Sequence, residues 1–283
     1  MDYRKAFHVK PGNKVRLGAI DAAETGKHVD EDTAKVEIEK YREKLCRLQQ
    51  LMYAEKKHSL LIVLQALDAG GKDGTVNHVM SAMNPMGTDV AAFKTPTAVE
   101  LDHDFLWRVH PHAPGKGAVA IFNRSHYEDV LIVRVHKLVK KDVWKERYAL
   151  INDFEKLLYT QNNTTILKFF LHISKDEQLR RFEQRLDDPA RNWKISESDY
   201  QERQLWDEYT KAFDEALEKT STKHAPWYVI PSNHKWFRNL AVSQIVAETM
   251  EELGMKMPEP QVDLKVIHKE YHEAVSEQKK KKK

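Results

Sequence analysis

The sequence predicts an α/β protein in which a parallel sheet is covered by helices on both faces. Short apolar runs alternate with helical patterns: SLLIVLQA (59–66), DVAAFK (89–94), GAVAIFNR (117–124), TTILKFFLHI (164–173) and APWYVIP (225–231) read as five strands. Their continuous apolar character suits strands buried on both sides. Directly after the first run comes ALDAGGKDGT (66–75), a glycine-rich bend carrying one lysine before a helical pattern. In such sheets ligands bind beyond the carboxyl ends of the strands.

Along the chain, residues 1–29 are mixed polar, with Pro11, Gly12 and Gly18, and read as an irregular N-terminal arm. Residues 30–57 place Val36, Ile38, Leu45, Leu48, Leu51 and Met52 at helical spacing, a long amphipathic helix. Between the strands, helical patterns cover 75–83, 97–109, 125–136, 141–161, 175–186 and 197–219, and a last helix of the domain spans 235–253. The 175–219 stretch is long and highly charged, and reads as a lobe standing off the sheet. The main domain is expected over 30–255, with 256–283 as a C-terminal tail ending in KKKKK, a solvated run.

With 283 residues, 41% hydrophobic and 31% charged, the chain suits one large domain or one domain with a lobe. The runs LLIVL and ILKFFL fall far short of the roughly 20 residues that cross a bilayer. MDYRKAFHVK lacks the apolar stretch of a secretory leader. The single Cys46 excludes an intramolecular disulfide and a multi-cysteine metal site. A cytoplasmic address, without a membrane or nucleic-acid partner, is expected. A net charge of +3, from 46 basic and 43 acidic residues, makes no demand for nucleic acid. The fourteen histidines include no HExxH pair, so zinc is not expected, and the six tryptophans read as packing.

The bend can be a bland βα turn with an exposed lysine. The order strand, glycine-rich loop, lysine, helix favours a phosphate cradle in which backbone N–H groups and a helix N-terminus face an anion and Lys72 adds a full charge. The match to a Walker A loop is imperfect: Ala66 stands where the first glycine is expected, and Asp73 where a metal-binding hydroxyl is usual. Asp68 and Asp73 would repel phosphate unless a cation lay between them. They therefore imply Mg²⁺, with Mn²⁺ as its alternative, and Asp73 as a charged ligand or an orienter of metal-bound water. The third strand ends in IFNRSHYEDVL (121–131), which gathers Asn123, Arg124, Glu128 and Asp129. Arg124 can neutralise a transferring phosphoryl group. Asn123 or Ser125 can equally cap a helix whose first turn is acidic, and the two roles are compatible. In the lobe, Arg181 and Arg185 share a helix face, with Arg191 and Lys194 in the following turn. From composition alone the lobe is a solvated helix laced by its own acids. Over residues 83–110, Asn84, Lys94, Asp104 and Arg108 are candidate acceptor ligands, although 97–109 also fits a helix that merely packs Phe105 and Leu106.

DAGGKDGT, FNRSHYEDVLIVRV, TTILKFFLHISKDEQ, RLDDPARNWK and STKHAPWYVIP, in this order and spacing, resemble the polyphosphate kinase 2 family, nearest to its class III members, over about residues 30–255. The resemblance implies a P-loop kinase-like three-layer α/β/α fold with a helical lid over about 175–219. It implies reversible, Mg²⁺-dependent in-line transfer of the terminal phosphoryl of inorganic polyphosphate to AMP or ADP, useful for ATP regeneration, and assembly as a homo-oligomer (dimer or tetramer). By the same resemblance Asp68, Lys72, Asn123, Arg124 and Glu128 form the catalytic set, and Asp68, Asp73 and Glu128 share the metal. Other classes place Asp where Asn123 stands and Asn where Glu128 stands, and class III agrees with this chain at both positions. Phosphate contacts are implied for Ala69, Gly70, Gly71, Lys72, Gly74, Thr75, Arg124, Arg134, Arg181, Arg185 and Lys194, and nucleotide contacts for Asp73, Asn84, Lys94, Asp104 and Arg108. It also turns the charged lobe from a solvated helix into a cationic lid. The rival readings are an ATP-dependent nucleotide or small-molecule kinase of the same fold, and a non-catalytic nucleotide- or RNA-binding module. The second lacks basic residues interleaved with exposed aromatics.

Overall fold

The structure is a computed structural model and describes residues 1–281; Lys282 and Lys283 of the terminal lysine run lie outside the described residues. Six strands form one sheet: β1 (His8–Val9), β2 (Ser59–Gln65), β3 (Thr88–Ala92), β4 (Val119–Asn123), β5 (Thr164–His172) and β6 (Trp227–Pro231), in the order β1-β6-β5-β2-β4-β3. All neighbours are parallel except β1, which runs antiparallel to β6 through His8–Tyr228 and Val9–Trp227. The chain steps from β2 one way to β4 and β3 and the other way to β5 and β6. The carboxyl end of β2 is therefore the topological switch point, and the glycine-rich loop follows it.

LLIVL is apolar at every position because β2 is buried along its whole length. Leu60, Ile62 and Leu64 pack with α1 (Glu31–Glu55) and α7 (Lys235–Glu252), while Leu61 and Val63 pack with α3 (Lys141–Asn162) and α6 (Trp206–Thr220). Each such side chain removed from water contributes about 1.5–3 kcal/mol. α2 (Lys72–Met80) grows out of the glycine-rich loop, and α4 (Lys175–Asp187) and α5 (Glu197–Gln204) belong to the lobe. α1 starts at Asp30, whose carboxylate accepts from Thr33 N in a capping box. Its buried stripe is Ala34, Tyr41, Leu45, Leu48 and Met52, whereas Val36 points to solvent.

Several sequence expectations are revised. The sheet has a sixth strand, and the arm that supplies it is not irregular throughout: a one-turn helix (Tyr3–Ala6) leads into β1, Tyr3 and Leu17 are buried, and Tyr3 N donates to Gln244 Oε1 at 2.8 Å. Over 97–109 only Ala98–Leu101 is helical; Asp104 Oδ1 accepts from Leu106 N and bends the chain, and Pro111 lies in the next turn. The 125–136 helix is a 3-10 turn (His126–Asp129) followed by one α-turn (Ile132–Val135). The 197–219 pattern breaks at Leu205, and its second half, α6, covers the sheet through Ala212, Phe213, Ala216 and Leu217. Beyond the domain, α8 (Leu264–Lys281) is exposed nearly throughout. No helix among the described residues is long and apolar enough to cross a membrane.

Candidate active site

The loop 66–71 is shaped by two left-handed residues, Ala69 at φ +57° and Gly71 at φ +103°. Lys72 Nζ donates to Ala66 O at 2.8 Å, and Thr75 Oγ1 to Gly71 O at 3.1 Å, so the loop closes on itself. The lobe holds it from outside. Gln178 donates to Asp68 O at 2.9 Å, and Arg181 donates to Ala69 O at 2.8 Å, to Asn233 O at 3.1 Å and to Ser232 O. Arg181 also donates to Glu177 at 2.6 Å. Most of its donors are thus engaged within the protein, and the structure places it as a clamp on the loop more than as a free lid cation.

Two hollows meet at the loop. The larger, about 870 Å³, is walled by Asp68–Gly74, Ala92–Thr95, Asn123 and Arg124 together with the cations Arg185, Arg191, Lys194, Lys235 and Arg238. The smaller, about 410 Å³, is walled by Gln65, Glu128, Trp193, Trp206, Tyr209 and Phe213 among others. Asp68, Lys72, Arg124 and Lys194 border both.

Arg238, in the first turn of α7, is 3% exposed and lies against the loop; a Cβ on Gly71 would fall 1.9 Å from its NH1 atom. Its side-chain acceptor is the neutral Asn239 Oδ1, at 2.8–3.2 Å, and no described carboxylate forms an ion pair with it. Burial, then neighbouring Arg181, pushes its pKa down to about 9. Burial and the surrounding arginines lower Lys235 in the same way. An uncompensated buried cation such as Arg238 is costly, and an anion between it and the exposed Lys235 relieves the cost.

At the end of β4, Arg124 adopts φ +62°, with its N–H donating to Leu64 O at 3.2 Å. This left-handed turn, which costs an L-residue about 1–2 kcal/mol, accompanies a guanidinium 3.5 Å from Asp68 Oδ1. Asn123 Nδ2 donates to Asp73 Oδ1 at 2.9 Å, while Lys194 Nζ stands 3.6 Å from Asp73 Oδ2. Burial opposes ionisation of Asp73, but the Asn123 amide and the Lys194 and Lys72 charges hold its carboxyl below the ordinary range. Burial dominates at Glu128 and raises it, against Arg124 and Lys72. At Lys72, burial and Arg124 lower the pKa against Asp68 and Glu128.

No three His, Cys, Asp or Glu side chains come together as a metal cage among the described residues. Asp68 and Glu128 both line the smaller hollow. Asp73 has its two oxygens facing Asn123 and Lys194, so a metal there displaces the lysine. This donor set fits Mg²⁺, which takes one or two carboxylates and completes its shell with phosphate oxygens and water. The residues Ala69, Gly70, Gly71, Gly74, Asn123, Arg185 and Lys194 line the larger hollow, whereas Thr75 is buried beneath the loop. Arg134 lies elsewhere, 2.7 Å from Glu215 with its guanidinium 4.5 Å over Trp144. Of the acceptor candidates, Lys94 lines the larger hollow. Asn84 caps a turn by accepting from Met86 N, Asp104 makes the bend at Leu106, and the buried Arg108 donates to Lys94 O and Glu100.

Sequence reasoning missed Lys235, Arg238 and the aromatic wall. The available signal for the cations was their place in the first turn after the last strand, at the carboxyl end of the sheet.

The family model described as Polyphosphate kinase 2 matches residues 28–258. The AMP/ADP-polyphosphate phosphotransferase of Meiothermus ruber is 49% identical over 91% of this chain and 96% of its own. The ADP-polyphosphate phosphotransferase of Rhodopseudomonas palustris is 44% identical over 90% of this chain and 92% of its own. The crystal structure of Polyphosphate Kinase 2 from Arthrobacter aurescens TC1 superimposes with a TM-score of 0.92 at 40% identity, covering 96% of this chain and 97% of that one.

Proposed function

The chain belongs to the polyphosphate kinase 2 family and transfers phosphoryl groups between polyphosphate and nucleotides, and from that premise we propose how its two hollows divide the reaction. Polyphosphate lies in the larger, cationic hollow. The nucleotide enters the smaller one, its base against Trp193, Trp206 and Tyr209 and its phosphate at the shared border of Asp68, Lys72 and Arg124. The observation that carries this reading is Arg238: a buried guanidinium with no carboxylate partner among the described residues, packed on the glycine-rich loop beside Lys235.

AMP and ADP are both acceptors, as the relatives' names support. Their phosphates are already ionised near neutral pH, so transfer asks the protein for alignment and charge neutralisation more than for a strong base. Lys72 and Arg124 draw charge from the transferring group, and the loop N–H groups fix its oxygens. Asp68 and Glu128 would hold Mg²⁺, which would supply charge neutralisation at adjoining phosphates. Asp68 orients the acceptor phosphate. Salt weakens polyphosphate binding by screening these contacts.

The test incubates the protein with Mg²⁺, polyphosphate and either AMP or ADP, and separates the nucleotides over time. ADP and ATP form without added ATP. Turnover only when ATP is the donor would replace this reading with that of an ATP-dependent kinase.

A further inference from the structure

Beneath the Arg124 turn, the otherwise apolar α3–α6 face of the sheet contains a buried ion pair. Lys168 of β5 and Glu155 of α3 are both fully buried, with Nζ 2.6 Å from Oε2. Lys168 also donates to Tyr127 OH at 2.8 Å and to Thr220 O at 2.6 Å. Its charge lies 5.3 Å from the rings of Tyr127 and Trp227. The other Glu155 oxygen, Oε1, accepts from Tyr127 OH at 2.9 Å and lies 3.3 Å from His126 Nε2. Because a carboxylate oxygen accepts, Nε2–H is the donor in this contact.

Removing two charges from water costs several kcal/mol per ion, and apolar replacements of similar size are often no less stable. The pair therefore calls for an explanation other than stability. Its location supplies one. His126 and Tyr127 sit between Arg124, in its left-handed conformation at the border of the hollows, and Glu128, on the wall of the smaller one. The turn is tethered above by Arg124 N to Leu64 O and by Gln65 Nε2 to Ser125 Oγ at 3.2 Å. Below, it is held by Glu155 and Lys168. Through Thr220 O the same lysine also holds the carboxyl end of α6, whose other end carries Trp206 and Tyr209.

We propose that Lys168, Glu155, His126 and Tyr127 form a positioning unit that fixes the Arg124 turn and so sets where Arg124 stands relative to Lys72 in the transfer step. The unit touches no substrate; it acts through Arg124. This rests on the phosphotransferase reading above.

The test compares two variants with the unaltered chain: Tyr127→Phe, which removes one hydroxyl, and the paired Glu155→Gln with Lys168→Met, which leaves no lone buried charge. Steady-state ATP formation from ADP and polyphosphate is measured in each, alone and combined with Arg124→Ala, together with thermal unfolding. Both variants are expected to lower kcat by about tenfold while KM for ADP stays within about twofold, and to lower it less than about twofold once Arg124 is already alanine. Unchanged kcat in a folded variant overturns the proposal, and so does an undiminished loss in the Arg124→Ala background, because the unit would then act elsewhere. If the paired variant does not fold, Tyr127→Phe decides by the same criteria. If the wild-type chain makes no ATP from polyphosphate, the phosphotransferase reading itself fails, an outcome distinct from either.

Discussion

Replacing Gly71 by alanine tests the phosphate cradle at its tightest point. At φ +103° the new Cβ is strained by itself, and it would fall 1.9 Å from Arg238 NH1 and 3.1 Å from its Cζ. No contact that short is tolerable, so the guanidinium must leave. Backbone strain of this kind costs the folded state about 1–3 kcal/mol. Separately, a displaced Arg238 loses its charge-assisted contact with the phosphate chain, worth about 1.5–3 kcal/mol. At about 1.4 kcal/mol per factor of ten, kcat/KM for polyphosphate should fall roughly tenfold to 150-fold. The assay is ATP formation from ADP over a polyphosphate titration, read beside thermal unfolding. Gly115→Ala is the control, since nothing lies within 4 Å of its Cβ position and its backbone is not left-handed. A folded Gly71→Ala protein with kcat/KM within about twofold of wild type would show that Arg238 does not serve the phosphate.

Trp206→Ala should raise KM for ADP about fivefold or more, because base stacking on an aromatic ring is worth about 1–3 kcal/mol, and leave KM for polyphosphate unchanged; an unchanged nucleotide KM would move the base out of the smaller hollow. Arg134→Ala should cost about 1–2 kcal/mol in urea unfolding through its lost Glu215 and Trp144 contacts, with turnover retained; loss of turnover without loss of stability would return Arg134 to the phosphate site. Burial, with Arg42 and Arg238 nearby, lowers the His78 pKa from its ordinary 6.5 to about 4. The unfolded chain therefore binds a proton that the native state refuses, and this contribution to stability, complete above pH 6.5, is lost as pH falls toward 4. His78→Gln should flatten that part of the stability–pH curve, and an unaltered curve would refute the assignment.

The strands β2, β4, β5 and β6 were legible because burial on both faces leaves no alternation to misread. β1 was not, since two residues carry no period and its partner lies more than two hundred positions away. The 97–109 and 125–136 helices were overread for one reason: apolar spacing survived where Asp104, Pro111 and the left-handed Arg124 redirect the backbone. In the site, the glycine-rich loop and the Asn123–Glu128 turn are local in sequence and could be read directly. Arg238 and Lys235 reach the loop only through tertiary folding, and in sequence they look like ordinary surface cations of a helix. Trp206 reads as packing with the other tryptophans because a chamber wall and a core share one helical spacing. Arg181 shows the converse, a residue chosen for its charge whose donors mostly hold carbonyls of the protein itself.

The pairing of His8 with Tyr228 has a consequence for how the chain matures on the ribosome. The arm is synthesised well before its partner β6, and Tyr3 waits longer still for Gln244. Until more than two hundred further residues have emerged, its aromatic side chains have no native place to go. Nascent chains arrested short of β6 should therefore remain open to proteases and to chaperones, and acquire resistance in a late step rather than progressively.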